Sequence, residues 1–235
     1  MSGAVGKLVR QVWAVALLAT AMAFLESAVV VYLREIWQIG DSLFPFDQAL
    51  FEATKHIFVI EVGREAATLV ILLTLAWAVA RTRAQWWAVL LVAFGTWDIF
   101  YYVWLVACLG WPASLGTWDV LFLLPVQMTG PVYAPLSVSV LMIAGALLFL
   151  HCENTGRRVR FDVWVWVLFA AGFAAILVSF YTNGVPSTGD KTEAELVYWW
   201  PLLVLGSGLG LVALLRATRE LWSRAETQSS QRQEE

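Results

Sequence analysis

Residues 12–36 read VWAVALLATAMAFLESAVVVYLREI, with no charge before Glu26 and none again until Arg34. A bilayer core of about 30 Å is crossed by about 20 apolar helical residues at about 1.5 Å each. The stretch is long enough to span. Lys7 and Arg10 precede it, and Ala21-Met22-Ala23 has the small-x-small form of a signal-peptide cleavage site. The apolar run continues to Leu33, longer than a signal core, so it is expected to stay as the first helix.

Five more runs of similar length follow, at 57–80, 86–109, 131–151, 163–182 and 197–215. The expectation is an all-α, polytopic membrane bundle of six transmembrane helices. It forms one domain over 1–215, followed by an amphipathic and disordered tail at 216–235. A seventh apolar stretch, 119–128, is too short to span. Composition agrees: 60% of the 235 residues are hydrophobic and 14% charged, with a mean hydropathy of +0.71. Soluble domains are nearer 45–50% apolar and about 25% charged. The net charge of −3 gives no reason to expect a nucleic-acid partner. Trp37, Trp86, Trp87, Trp111, Trp199 and Trp200 fall at run ends, where interfacial belts form.

Loop charges set the orientation. With the N-terminus inside, the inner segments hold eleven basic residues: Lys7, Arg10, Arg81, Arg83, Arg157, Arg158, Arg160, Arg216, Arg219, Arg224 and Arg232. The outer segments hold three, Arg34, Lys55 and Lys191. The positive-inside rule then places both termini in the cytoplasm of a cell-membrane protein. Cys108 and Cys152 fall at opposite ends of their helices, so no disulfide is expected between them.

Ionisable groups within the hydrocarbon region cost several kcal/mol and usually face the bundle interior. The last three runs have none in their central stretches, whereas the first three carry Glu26, Glu61, Arg64, Glu65 and Asp98. By helical rise the four carboxylates sit at similar depths in the outer half. Glu61 and Glu65 share a face at i and i+4, and Arg64 lies i+3 from Glu61. Four acids against one Arg leave an excess of three. Either some carry protons, or a cation sits among them. The bland alternative is a polar clamp between helices. His56 lies at the outer rim of the second run and could complete a metal shell.

Gly95-Thr96-Trp97-Asp98-Ile99 is echoed by Gly116-Thr117-Trp118-Asp119-Val120. The second copy opens the short apolar stretch that stops at Pro125, before Pro131 and Pro135. Residues 112–130 are therefore expected to form an interfacial or re-entrant segment between helices 3 and 4. Asp119 is either a fifth carboxylate or a helix N-cap within it. Tyr101 and Tyr102 follow Asp98 by three and four residues, so one should share its face; otherwise they are interfacial anchors.

His56 and His151 lie at opposite ends, so no bis-His haem is expected. Gly206, Gly208 and Gly210 include a GxxxG pair, which predicts close helix packing. Three functions follow. The first is a metal-dependent membrane oxidoreductase acting on a lipophilic substrate. Glu26, Glu61, Glu65, Asp98, Asp119 and His56 would hold iron, manganese or zinc, with Arg64 as charge partner and Trp97, Trp118, Tyr101 and Tyr102 in support. The second is a proton- or cation-coupled transporter, in which a homo-oligomer supplies a second half. The third is a non-catalytic assembly or scaffold protein.

Overall fold

A computed structural model describes residues 2–37, 39, 54–124, 127–155, 159–181 and 196–218. The expected tail beyond Thr218 and most of the first outer loop lie outside them. The described residues form six helices: α1 (Ser2–Ile36), α2 (Lys55–Val79), α3 (Arg83–Leu109), α4 (Tyr133–Asn154), α5 (Val163–Tyr181) and α6 (Trp200–Ala217). Five of them, all but α2, are long and apolar enough to cross a membrane. The 25 residues of α2 reach about 37 Å, but its first half carries Lys55, Glu61, Arg64 and Glu65.

Large apolar side chains cover the outside of the bundle, among them Trp13, Leu17, Leu25, Trp77, Trp164 and Phe173. In water such a surface would be costly; against lipid it is the expected exterior. The chain is accordingly a membrane protein. The helix ends follow local chemistry. Thr82 caps α3 by accepting the Gln85 N–H at 3.1 Å. Gly110 closes the same helix in the left-handed region at φ 67°, a conformation open to glycine.

Helix α3 is central, packing against α1, α2 and α4, while α5 and α6 pair with each other. The main core fills the space among α1 to α4 with small residues: Ala19, Ala23, Ala76, Ala88 and Ala93, with Leu72 and Trp97. Two glycine contacts bring helix backbones close. A Cβ on Gly95 of α3 would lie 2.8 Å from the Ser139 carbonyl oxygen of α4. In the other pair, a Cβ on Gly206 would lie 2.6 Å from the Gly172 oxygen, and one on Gly172 would lie 3.3 Å from the Gly210 nitrogen. The small-residue spacing in α6 thus marks its crossing with α5.

The fold is all-helical as expected, and the segment between α3 and α4, expected to be interfacial or re-entrant, is not helical. It holds two antiparallel strands, β1 (Trp118–Phe122) and β2 (Met128–Pro131). Asp119 pairs with Gly130 and Val120 with Thr129, with an irregularity before the Phe122–Met128 pair. Trp118, Val120 and Phe122 are good strand formers, and five residues are too few for a helix to repay its nucleation. Asp119 is therefore a strand residue and not the cap of a short helix. The hairpin packs on α5 and the start of α6 through Trp118, Met128, Phe180, Tyr198 and Leu203. Its backbone groups pair with each other, which non-helical chain in a membrane protein requires. Both cysteines are free thiols, Cys108 exposed and Cys152 buried.

Candidate functional site

Helix α2 buries one stripe: Glu61, Glu65, Thr68, Leu72 and Ala76. The spacing of four, three, four and four is that of one helical face. Its half nearer the hairpin is polar and its other half apolar. Arg64 stands one residue before Glu65 and reaches two acids. Its Nε donates to Glu61 at 2.8 Å, Nη2 donates to the other oxygen of Glu61, and Nη1 donates to Glu26 of α1. The Thr68 hydroxyl donates to the second Glu26 oxygen at 3.1 Å. Glu26 and Glu61 are both buried. One guanidinium thus bridges two carboxylates from different helices.

Glu65 does something else. Both of its oxygens accept the Leu123 backbone N–H, at 2.9 and 3.1 Å, just beyond β1. A buried carboxylate of α2 thereby holds the hairpin over the polar end of the bundle. Charge-assisted bonds of this kind are among the stronger ones.

Asp98 and Asp119 form a second group. Asp98 accepts the Ser139 hydroxyl of α4 at 2.8 Å, a contact made possible by the close approach at Gly95. Asp119 is buried and accepts the Tyr102 hydroxyl at 3.1 Å and the Val120 N–H at 2.9 Å. Arg34, also buried, stacks over the Trp111 ring at 4.4 Å. Burial pushes the Asp119 carboxyl up to about 7, with Asp98 adding to the effect, while Tyr102, the Val120 N–H and Arg34 oppose it.

Tyr101 joins the groups. It lies within electrostatic reach of Arg64, Glu61, Asp119 and Arg34. Its ring packs against Tyr102 at 4.9 Å and Trp97 at 6.4 Å. Its carbonyl oxygen accepts the Ser27 hydroxyl at 2.9 Å. Trp97 and Trp118 are both buried, Trp97 against Phe94 and Phe122 and Trp118 against Tyr198.

The acids do not gather in a single four-carboxylate pocket. Glu26 and Glu61 share Arg64, Glu65 takes the Leu123 N–H, and Asp98 and Asp119 take the hydroxyls of Ser139 and Tyr102, so the acids divide into the Glu26–Glu61–Arg64 bridge, the Glu65 tie and the Asp98 and Asp119 contacts. His56 is exposed in the first turn of α2 and does not join them. Among the described residues no group of three or more His, Cys, Asp or Glu is placed to hold a metal ion. Arg34, Thr68 and Ser139 belong to the site without having been singled out from the sequence. Thr68 was visible as the next residue of the α2 stripe. Arg34 reads from the sequence as a loop charge, and nothing local points to Ser139.

Counting the groups together gives five acids, Glu26, Glu61, Glu65, Asp98 and Asp119, against two guanidiniums, Arg34 and Arg64. Among the described residues these groups therefore hold three more acids than guanidiniums. No family model, curated protein or solved structure matches the chain.

Asp119 carries a pH prediction. Its folded-state affinity for a proton exceeds the ordinary aspartate value of 3.8. Its contribution to stability is therefore full below about pH 4 and is lost as pH rises towards about 7. Thermal unfolding of the wild type should fall across that window relative to Asp119→Asn, which keeps an acceptor but cannot ionise. Parallel pH profiles for the two proteins would show that Asp119 does not titrate there.

Proposed function

We propose that the chain spans the cell membrane six times, with α2 as the sixth span and both termini in the cytoplasm, and works as a proton-coupled carrier. The observation that carries this reading is the excess, among the described residues, of three acids over guanidiniums in three groups that together span four helices and a hairpin. A low-dielectric interior does not hold three uncompensated negative charges. The network therefore keeps protons on some of its carboxyls, and protons held in a linked set can be exchanged. Glu65 and Asp119 are the coupling points. Glu65 holds the hairpin through Leu123 and Asp119 ties it to Tyr102 of α3, so their protonation state and the hairpin position are linked. The chain is short for a carrier, and a homo-oligomer supplies the second half of the transport path.

The metal-dependent oxidoreductase is the weaker reading, because the carboxylate oxygens are occupied by Arg64, Thr68, Leu123, Ser139 and Tyr102. A scaffold held together by a polar clamp is favoured by the Arg64 bridge, which alone resembles a structural ion pair. Reconstitution separates the three. In proteoliposomes loaded with a pH dye, a membrane potential should drive protein-dependent proton movement. Glu65→Gln and Asp119→Asn should each slow it by about tenfold or more, in the range of losing one positioned proton-transfer group. Proton movement equal to that of empty liposomes would leave the scaffold. Stoichiometric iron, manganese or zinc in purified protein, absent from Glu65→Ala, would restore the metal site.

A further inference from the structure

The end of the bundle opposite the hairpin contains a cleft of about 290 Å³ among α1, α2, α3 and α4. Its floor is apolar and includes Val15, Val89, Val92 and Leu150, which belong to the buried core. Its mouth is polar, with Arg81 from the α2–α3 turn, Glu153 and Asn154 from the end of α4, Gln11 from α1 and Gln85 from α3. The Gln85 side chain is held in place by accepting the Arg81 backbone N–H at 3.0 Å. Arg81 and Glu153 face one opening with opposite charges, yet among the described residues no ion pair joins them.

We propose that this cleft binds a small zwitterion with an apolar body. Its anionic group sits against Arg81, its ammonium group against Glu153, and its body rests on the valine floor. The charges select this class. A simple anion would meet Glu153, a simple cation would meet Arg81, and a purely apolar molecule would strip water from five polar side chains without replacing it. Small-molecule sites combine an apolar lining with a few convergent polar groups in this way. The same chemistry occurs in a free apolar amino acid and in an ethanolamine phospholipid headgroup. The role of the cleft rests on the carrier reading, for which it supplies the solute. It and the acid network lie at opposite ends of one helical interface, separated by Ala19, Ala23, Leu72, Ala76, Ala93 and Trp97.

The test is binding to the purified full-length protein in detergent, followed by thermal shift and calorimetry. The probes are L-leucine, N-acetyl-leucine, leucinamide, and the dihexanoyl forms of phosphatidylethanolamine and phosphatidylglycerol. L-leucine or the ethanolamine lipid should bind saturably, and the probes bearing one charge should not. Arg81→Gln and Glu153→Gln should each weaken that binding by about tenfold or more, as for loss of a charge-assisted hydrogen bond. Unchanged melting of the ligand-free variants controls for folding. Leucine binding without lipid binding identifies a solute site, and the reverse identifies a headgroup site; both uphold the zwitterion assignment. Saturable binding of neither, or binding that ignores the missing charge or both substitutions, overturns it. Proton movement in liposomes is read separately. If it persists without zwitterion binding, the cleft assignment fails alone; if binding persists without it, the carrier reading fails alone.

Discussion

Arg64→Met is expected to lower the unfolding free energy by about 3–5 kcal/mol, the usual consequence of removing one partner from a buried ionic group. The loss comes less from the missing bonds than from what remains. Glu26 and Glu61 are both buried and would be left together, with Thr68 the one remaining donor to them among the described residues. Desolvated acids of like charge destabilise the bundle unless they bind protons. Replacing all three as Glu26→Gln, Glu61→Gln and Arg64→Met should recover most of the loss, since no charge is then left unpaired. Reversible unfolding in mixed micelles gives both numbers. A single variant as stable as the wild type would mean that Arg64 is dispensable to the bridge and that the two acids are neutral without it.

The second large effect belongs to the α5–α6 crossing. Gly206→Val should destabilise by about 3 kcal/mol, the upper end of the overpacking range, because the new atoms meet the backbone of Gly172 and Ile176 as well as the Ile176 side chain at 2.7 Å. A Cβ at Gly206 lies 2.6 Å from the Gly172 oxygen and 3.0 Å from the Ile176 nitrogen. The neighbouring Gly208 has nothing within 4 Å of such an atom. Gly208→Ala should therefore be neutral or stabilising by up to about 1 kcal/mol through helix propensity. The same unfolding assay compares them, and equal stabilities for the Gly206 and Gly208 variants would remove the crossing from this account.

The long elements were legible in the sequence because lipid leaves the backbone few options. An apolar run of about 20 residues satisfies its own hydrogen bonds only as a helix. The run at 57–80 and helix α2 agree to within two residues. The start of α1 was not legible, since Gly3, Gly6 and Lys7 give no apolar signal. The hairpin was hidden for a different reason. Trp118–Phe122 is as apolar as a helix fragment of that length, and its pairing with Met128–Pro131 depends on a partner that periodicity does not name.

The site divides in the same way. Local spacing gave the Glu61–Arg64–Glu65 arrangement, because i+3 and i+4 neighbours are set by the helix itself. Depth matching gave the level of Glu26 and Asp98 but not their azimuth about the helix. Glu26 turned towards Arg64, whereas Asp98 turned towards Ser139 on the far side of α3. The first copy of the Gly-Thr-Trp-Asp sequence is helical and the second runs from a turn into strand β1; Asp119 accepts the Tyr102 hydroxyl, and Asp98 lies within electrostatic reach of the same tyrosine. The echo marked the right residues without indicating a structural repeat.

The most direct measurement is infrared difference spectroscopy of the carboxyl carbonyl stretch in protein reconstituted in lipid at neutral pH. Protonated carboxyls absorb apart from carboxylates, so the excess acid is observable. A protonated-carboxyl band is expected in the wild type that shrinks in Glu65→Gln and Asp119→Asn and disappears when Glu26, Glu61, Glu65, Asp98 and Asp119 are all replaced by their amides. A wild-type spectrum with no such band, from protein free of stoichiometric bound metal, would contradict it.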